Sequence, residues 1–425
     1  MVLAGAVLAL VAATAGLGVH FEPALSWYFQ IAWWSYVVAI DAVNRRLAGR
    51  SLLRDSPLRF LGLSLASVAW WTLFEAINLR LGNWYYVMDH ATRWQRWLGG
   101  VVAFATVLPA IVETVELLGH LGWLRLVRVA PVVWNLRKEA ACLATGAGFF
   151  LLPLLWPSVF FPLTWGSFVF LIEPWNRRHA GESFLRDFEQ GEAGPFCRTL
   201  LAGLVCGGLW ELWNYWARVK WIYTVPGFEE WKLFEMPLLG FLGFPPFAVE
   251  CVVLVRFLGA VAERLPATRR RLAGGAAVMV GGAATLCVFH QVERVSVDSF
   301  YVPVSRLETL PRDAALRLDS LGLTSPERLI RALETPERRA RWALSSGLSE
   351  QELVALHDRV RLVMYRGLGQ DRALQLARLG VHSLQDLAGW HPDVLASALR
   401  AQGSSPRDRF LERRVRAWLN GSTLP

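Results

Sequence analysis

Four glutamates stand inside apolar stretches of the sequence, where a carboxyl is costly: Glu75, Glu113, Glu211 and Glu250. An ionised acid at mid-bilayer is disfavoured by roughly 2.5–3.5 kcal/mol even on insertion scales, so such residues turn to a protein interior or a polar cavity. A carboxyl held protonated in an apolar surround can serve as a general acid. Glu75 and Asn78 are three residues apart, as are Glu211 and Asn214, so each acid has an amide on its own helix face to orient it. Asp41 and Glu173 sit near the ends of apolar stretches, and Trp84, Tyr86, Trp221 and Tyr223 follow the first and third acids in sequence. The expected site has Glu75, Glu211, Glu113 and Glu250 as the catalytic set, supported by the two amides, the four aromatics, Asp41 and Glu173. The same acids would suit a proton- or cation-coupled carrier, and a non-catalytic anchor is a third reading.

The elements that must position these acids are membrane helices. The chain is 54% hydrophobic over 425 residues, with a mean hydropathy of +0.33. Its apolar residues come in blocks near the roughly 20 residues that cross a bilayer. Tryptophans cluster at block ends, as at Trp33-Trp34, Trp70-Trp71, Trp94 and Trp97, like an aromatic belt. The first block lacks a basic leader, so it reads as a retained helix rather than a signal peptide. The five cysteines form no C-x-x-C pair and suggest neither disulfides nor zinc.

The strongest pattern is a duplication. Residues 33–55 read WWSYVVAIDAVNRRLAGRSLLRD, and residues 165–187 read WGSFVFLIEPWNRRHAGESFLRD, at a shift of 132. Downstream, Phe74-Glu75-x-x-Asn78 recurs as Trp210-Glu211-x-x-Asn214, Trp84-x-Tyr86 as Trp221-x-Tyr223, and Pro109-x-x-x-Glu113 as Pro246-x-x-x-Glu250. The expected fold is all-α, a polytopic membrane helical bundle. Repeat 1 (1–132) and repeat 2 (133–260) hold four spans each, a ninth span lies within 261–293, and a soluble domain fills 294–425. Spans are expected near 2–20, 27–43, 60–79, 97–118, 139–156, 159–174, 198–216, 235–257 and 273–290. An even number of spans per repeat makes the halves parallel copies. Pro109, Pro237, Pro245, Pro246, Gly240 and Gly243 should break the fourth span of each repeat.

Loop charge orients the bundle. Loops 44–59, 120–138, 176–198 and 258–272 carry 5, 4, 4 and 4 basic residues, against 3 each in 80–96 and 217–233. The Asn-Arg-Arg loops then face the cytoplasm of a bacterial inner membrane, and nine spans leave the C-terminal domain outside. Asn44, Arg45, Arg46, Asn176, Arg177 and Arg178 are candidates for holding a lipid headgroup.

Trp210-Glu211, Trp221-Ile222-Tyr223 and Glu235-Met236-Pro237-Leu238 resemble the repeat of membrane-embedded lycopene cyclases. The resemblance covers 165–257 and, more faintly, 33–118. It implies cofactor-independent acid–base chemistry on a membrane lipid or isoprenoid, with Glu211 and Glu75 at the family's W-D acid. The sequence departs where the family has an acidic pair, carrying Leu239-Gly240 instead. No P-loop, dinucleotide fingerprint, nucleophile elbow or metal-binding box appears, so no cofactor and no metal is expected.

Residues 291–425 hold 20 Arg, no Lys and 16 acids. Ala315-x-x-Leu318-x-x-Leu321-Gly322-Leu323-x-Ser325 recurs as Ala373-x-x-Leu376-x-x-Leu379-Gly380-Val381-x-Ser383. Gly367-Leu368-Gly369 suits a helix-hairpin-helix turn, which the first copy replaces with Leu310-Pro311-Arg312. Ser345–Ala401 resembles a bacterial domain of unknown function of that type. Near-balanced charge argues against nucleic acid and for a protein partner.

Overall fold

The computed structural model describes residues 1–88, 92–227, 231–299, 304, 307, 312–403 and 406–422, which leaves Leu310 and Pro311 outside the described residues. The fold is all-α apart from short strands, and it divides into two compact units. The first comprises Met1–Leu81, Trp97–Ala217 and Trp231–His290. The second comprises Gly82–Arg96, Arg218–Glu230 and Gln291–Pro425, so two inter-helix loops join the C-terminal residues expected to stand alone.

The helices in chain order are α1 (Val2–Gly18), α2 (Glu22–Ala48), α3 (Leu52–Asp55), α4 (Pro57–Leu81), α5 (Arg93–Phe104), α6 (Val107–His120) and α7 (Leu136–Leu155). They continue as α8 (Pro157–Phe160), α9 (Ser167–His179), α10 (Phe184–Glu189), α11 (Gly194–Trp216), α12 (Phe244–Arg264) and α13 (Ala267–Val295). In the first unit α1 packs on α2, α2 on α6 and α4 on α6; α7 packs on α9, α9 on α12 and α11 on α12. The same three pairings thus occur in both halves of the duplicated sequence. Helix α6 also packs on α11 and α12, joining the two sets.

Among the described residues, five helical stretches are long and apolar enough to cross a membrane, where nine were expected: Pro57–Leu81, Arg93–His120, Leu136–Leu155, Leu238–Arg264 and Ala267–Val295. The shortfall has physical causes. Helix α1 is apolar but has 17 residues, and α9 has only 13. Helix α2 is 27 residues long but carries Gln30, Asp41, Asn44, Arg45 and Arg46, while Glu211 and Asn214 dilute α11. Helix α13 shows the opposite case: its 29 residues include an apolar stretch of 18, yet Met279 and Val280 are 77% and 70% exposed. Such a helix suits hydrocarbon rather than water.

The expected breaks occur. The polypeptide kinks between α5 and α6, and a 3₁₀ turn at Leu238–Gly243 precedes α12. Pro245 and Pro246 open α12, where a missing N–H costs nothing. In the second half, Pro162 lies in a 3₁₀ turn, and Gly166 at φ +116° delays the start of α9.

In the second unit, strand Lys220–Tyr223 runs antiparallel to Trp84–Met88, which pairs in parallel with Val297–Asp298. Its helices are α14 (Arg312–Ser320), α15 (Pro326–Leu333), α16 (Pro336–Ser346), α17 (Glu350–Met364), α18 (Gly369–Ala377), α19 (Leu384–Ala388), α20 (Pro392–Ala401) and α21 (Leu411–Ser422). Leu318, Leu329, Leu353, Leu376, Leu387 and Trp418 lie in one apolar core. The short repeat is visible in the backbone. Gly322 and Gly380 adopt φ +83° and +82°, and Leu323 N–H and Val381 N–H donate to Leu318 O and Leu376 O at 2.9 and 3.0 Å. Both copies therefore end a helix with the same left-handed cap.

Candidate functional site

The acids at the ends of α2 and α9 hold loops. The Ser51 hydroxyl donates to Asp41 Oδ2 at 2.6 Å and Leu53 N–H to Asp41 Oδ1 at 3.1 Å. At the duplicated positions, the Ser183 hydroxyl donates to Glu173 Oε1 at 2.8 Å and Leu185 N–H to the same oxygen at 3.2 Å. Each serine meanwhile caps the next short helix, accepting from Arg54 N–H and Arg186 N–H. The long shared motif, from the acid through A-G-x-S-x-L-R-D, thus encodes a staple between a helix end and the following turn. These serines were missed as partners of the acids, although both lie inside the repeated motif.

The asparagines of the Asn-Arg-Arg motifs are buried and point inward. Asn44 Nδ2 donates to Glu113 O at 2.9 Å and to Glu113 Oε2 at 2.7 Å. Asn176 Nδ2 donates to Val253 O at 2.9 Å and to Glu173 Oε2 at 3.2 Å. They brace α2 against α6 and α9 against α12. Arg177 grips Glu189 through two bonds, at 2.9 and 2.7 Å, and Arg178 bonds Glu139 at 2.6 Å. Arg45 lies 3.7 Å from Asp55, and Arg46 is exposed. The two headgroup candidates therefore differ, because the arginines of the second motif are bound to carboxylates.

Glu113 and Glu250, at equivalent places in the repeats, are used differently. Glu250 Oε1 accepts from Phe168 N–H at 2.9 Å, capping the N-terminus of α9. Phe168 corresponds to Tyr36 in the middle of the unbroken α2, where no amide is free, and Glu113 bonds Asn44 instead. Glu113 Oε1 and Glu250 Oε2 are buried without a hydrogen-bond partner among the described residues.

Glu75 and Glu211 are 1% and 0% exposed, and Asn78 and Asn214 are buried beside them in sequence. Trp71 Nε1 donates to Glu75 Oε1 at 2.9 Å. The Trp71 ring lies 5.9 Å from that of Trp210, the neighbour of Glu211. Around them, Phe74 stacks on Trp165 at 5.2 Å, Phe247 meets Phe74 at 5.2 Å, and Trp33 meets Trp210 at 5.2 Å. Glu75 thus bonds an aromatic layer built from both halves, and Glu211 is buried next in sequence to one of its rings, Trp210. Ring faces stabilise positive charge and a protonated carboxyl can supply a proton, so the layer has the parts for acid chemistry on an apolar molecule.

Trp84, Tyr86, Trp221 and Tyr223 lie in the strands of the second unit. Trp84 pairs with Tyr223, Tyr85 with Ile222 and Tyr86 with Trp221. The central pair is itself a repeat-equivalent pair, so the duplicated segments meet about a local two-fold. Alternating aromatic and β-branched residues were the available strand signal. The turn Gly367-Leu368-Gly369 packs on this sheet: a Cβ on Gly367 would collide with Val87, and one on Gly369 with Val297. The Tyr85 hydroxyl donates to Arg366 O at 2.5 Å, and Arg414 lies over the Tyr85 ring at 4.2 Å. The glycine turn is occupied by protein.

Residues 308–421 match the family described as a domain of unknown function, DUF4332. No curated protein and no solved structure matches the chain, and the likeness to lycopene cyclases finds no support in these comparisons.

Proposed function

We propose that the chain is a membrane-embedded scaffold: two parallel four-helix repeats and a ninth span, holding the second unit on the extracytoplasmic side to engage a protein partner. The observation that carries this reading is the three-stranded sheet. Its strands come from both outer loops and from the segment after α13, so all three belong on one side of the membrane. Between Met88 and Lys220 the chain passes α5–α6, α7, α9 and α11; between Tyr223 and Val297 it passes α12 and α13. With each of these taken as one crossing, both counts are even, as a shared side requires, which supports α13 as a crossing helix. The Asn-Arg-Arg loops fall on the opposite side, where loop charge also assigns them. The occupied glycine turn favours a protein partner over nucleic acid. A C-terminal alkaline phosphatase fusion is expected to be active and a C-terminal green fluorescent protein fusion dark. The reverse result would overturn the assignment.

The aromatic layer favours a second reading, acid–base chemistry on a membrane lipid or isoprenoid with Glu211 and Glu75 as proton donors. Glu211→Gln should then change the lipid extract of expressing cells while the protein still accumulates. Identical extracts from wild type, Glu211→Gln and cells lacking the gene would end that reading.

A further inference from the structure

A groove of about 470 Å³ opens beside α2, at the end of that helix away from Arg45 and Arg46, within the roughly 300–1,000 Å³ of small-molecule sites. Pro23, Trp27, Ile31, Trp34 and Val102 line it, together with Gln30. The apolar wall fits hydrocarbon, but Gln30 does not. Gln30 is 7% exposed and donates through Nε2 to Gly99 O at 3.2 Å, while its Oε1 is buried with no partner among the described residues. Turning the amide over would set its oxygen against the Gly99 oxygen, so the orientation is fixed by the carbonyl it serves. A lone amide acceptor beside an apolar groove, in a region where water is scarce, calls for a donor. Ser35 adds a hydroxyl to the lining.

The second half of the molecule has no counterpart. At the shift of 132, Gln30 becomes Pro162, and Ile31 and Trp34 become Leu163 and Gly166. Gln30 is therefore no part of the duplicated framework, whose staples recur in both halves. We infer that this groove binds a membrane lipid with a single long apolar chain and a hydroxyl group, the hydroxyl donating to Gln30 Oε1 and the chain lying along Trp27, Ile31 and Trp34. The chemical class is a long-chain alcohol, and this site is separate from the Glu75–Glu211 layer.

The test uses full-length protein in phosphatidylcholine nanodiscs with a diazirine-bearing octadecanol as photoprobe. Labelling is expected on the α2 and α5 peptides that contain Ile31 and Val102. Unlabelled octadecanol should compete about tenfold better than octadecyl methyl ether, the worth of one hydrogen bond. Gln30→Leu should abolish that preference, and Ile31→Trp, which fills the groove and leaves the amide in place, should lower labelling by every probe. Equal competition by alcohol and ether in the wild type would overturn the inference. So would unchanged labelling in Ile31→Trp, or a shift of oligomeric state in that variant with loss of labelling, which would make the groove a contact between copies.

Discussion

The two halves of the membrane unit keep one device and differ in another. Asp41 with Ser51 and Glu173 with Ser183 form the same staple, and each half repeats the same helix pairings. The second helices part company: α2 runs unbroken for 27 residues, whereas α9 has 13 and needs Glu250 to cap its late start. A staple made within about ten residues is carried along by duplication, since all its members are copied together. A contact between distant helices depends on the whole local path, and one proline and one glycine were enough to redirect it.

The staples should give the largest effects. Asp41→Ala and Glu173→Ala each strand a serine hydroxyl and a backbone N–H, and each should lower stability by about 3 kcal/mol. Thermal unfolding in detergent measures both, and a gap of more than about 1 kcal/mol would show that the staples are not equivalent. Next, Glu250→Ala should cost about 2 kcal/mol, and Glu250→Gln much less, because the amide oxygen still accepts from Phe168 N–H. Glu113→Ala should cost only about 1 kcal/mol, since Asn44 keeps its bond to the residue's backbone carbonyl. Equal losses from Glu113→Ala and Glu250→Ala would erase the distinction between the halves. Arg177→Ala, which breaks a two-bond pair, should cost about 1 kcal/mol and Arg45→Ala close to nothing.

The smallest effect lies in the second unit, where the two short copies differ at one cap. Asp386 accepts from His382 N–H and Ser383 N–H, both at 2.9 Å, and these bonds hold its carboxyl below the usual range. The first copy has Arg328 at that place, and Ser325 makes no side-chain cap bond. Because the folded value is depressed, the cap contributes above the unfolded carboxyl value of about 4 and is lost as pH falls through the folded one. Amide hydrogen exchange should therefore quicken in α19 before α15 on acidification. The opposite order would mean that the cap does not govern local opening.

Much of the framework was legible in the residues. The duplication, the proline breaks, the buried acids and the glycine caps at Gly322 and Gly380 all rest on local spacing. The nine spans read from the apolar blocks reduce to five stretches of membrane length and hydropathy among the described residues, because helix length and the polar residues of α2 and α11 are set against the apolar count. The loop-holding bonds of Asp41 and Glu173 were not legible, since an acid near a helix end has the same sequence signature whether it holds a loop or serves a reaction. The W-x-Y segments were legible as repeats and not as partners, because pairing across 137 residues leaves no local trace.

Sequence alone determined that this chain is built from copied helical units rich in membrane-length apolar stretches, since periodicity and repetition are written in neighbouring residues. Only the tertiary structure decided which acids became staples, which glutamate caps a broken helix, that Trp71 joins Glu75 to an aromatic layer containing Trp210, and that the glycine turn rests on a sheet. Those outcomes depend on groups far apart in the chain, whose meeting is set by how whole helices pack.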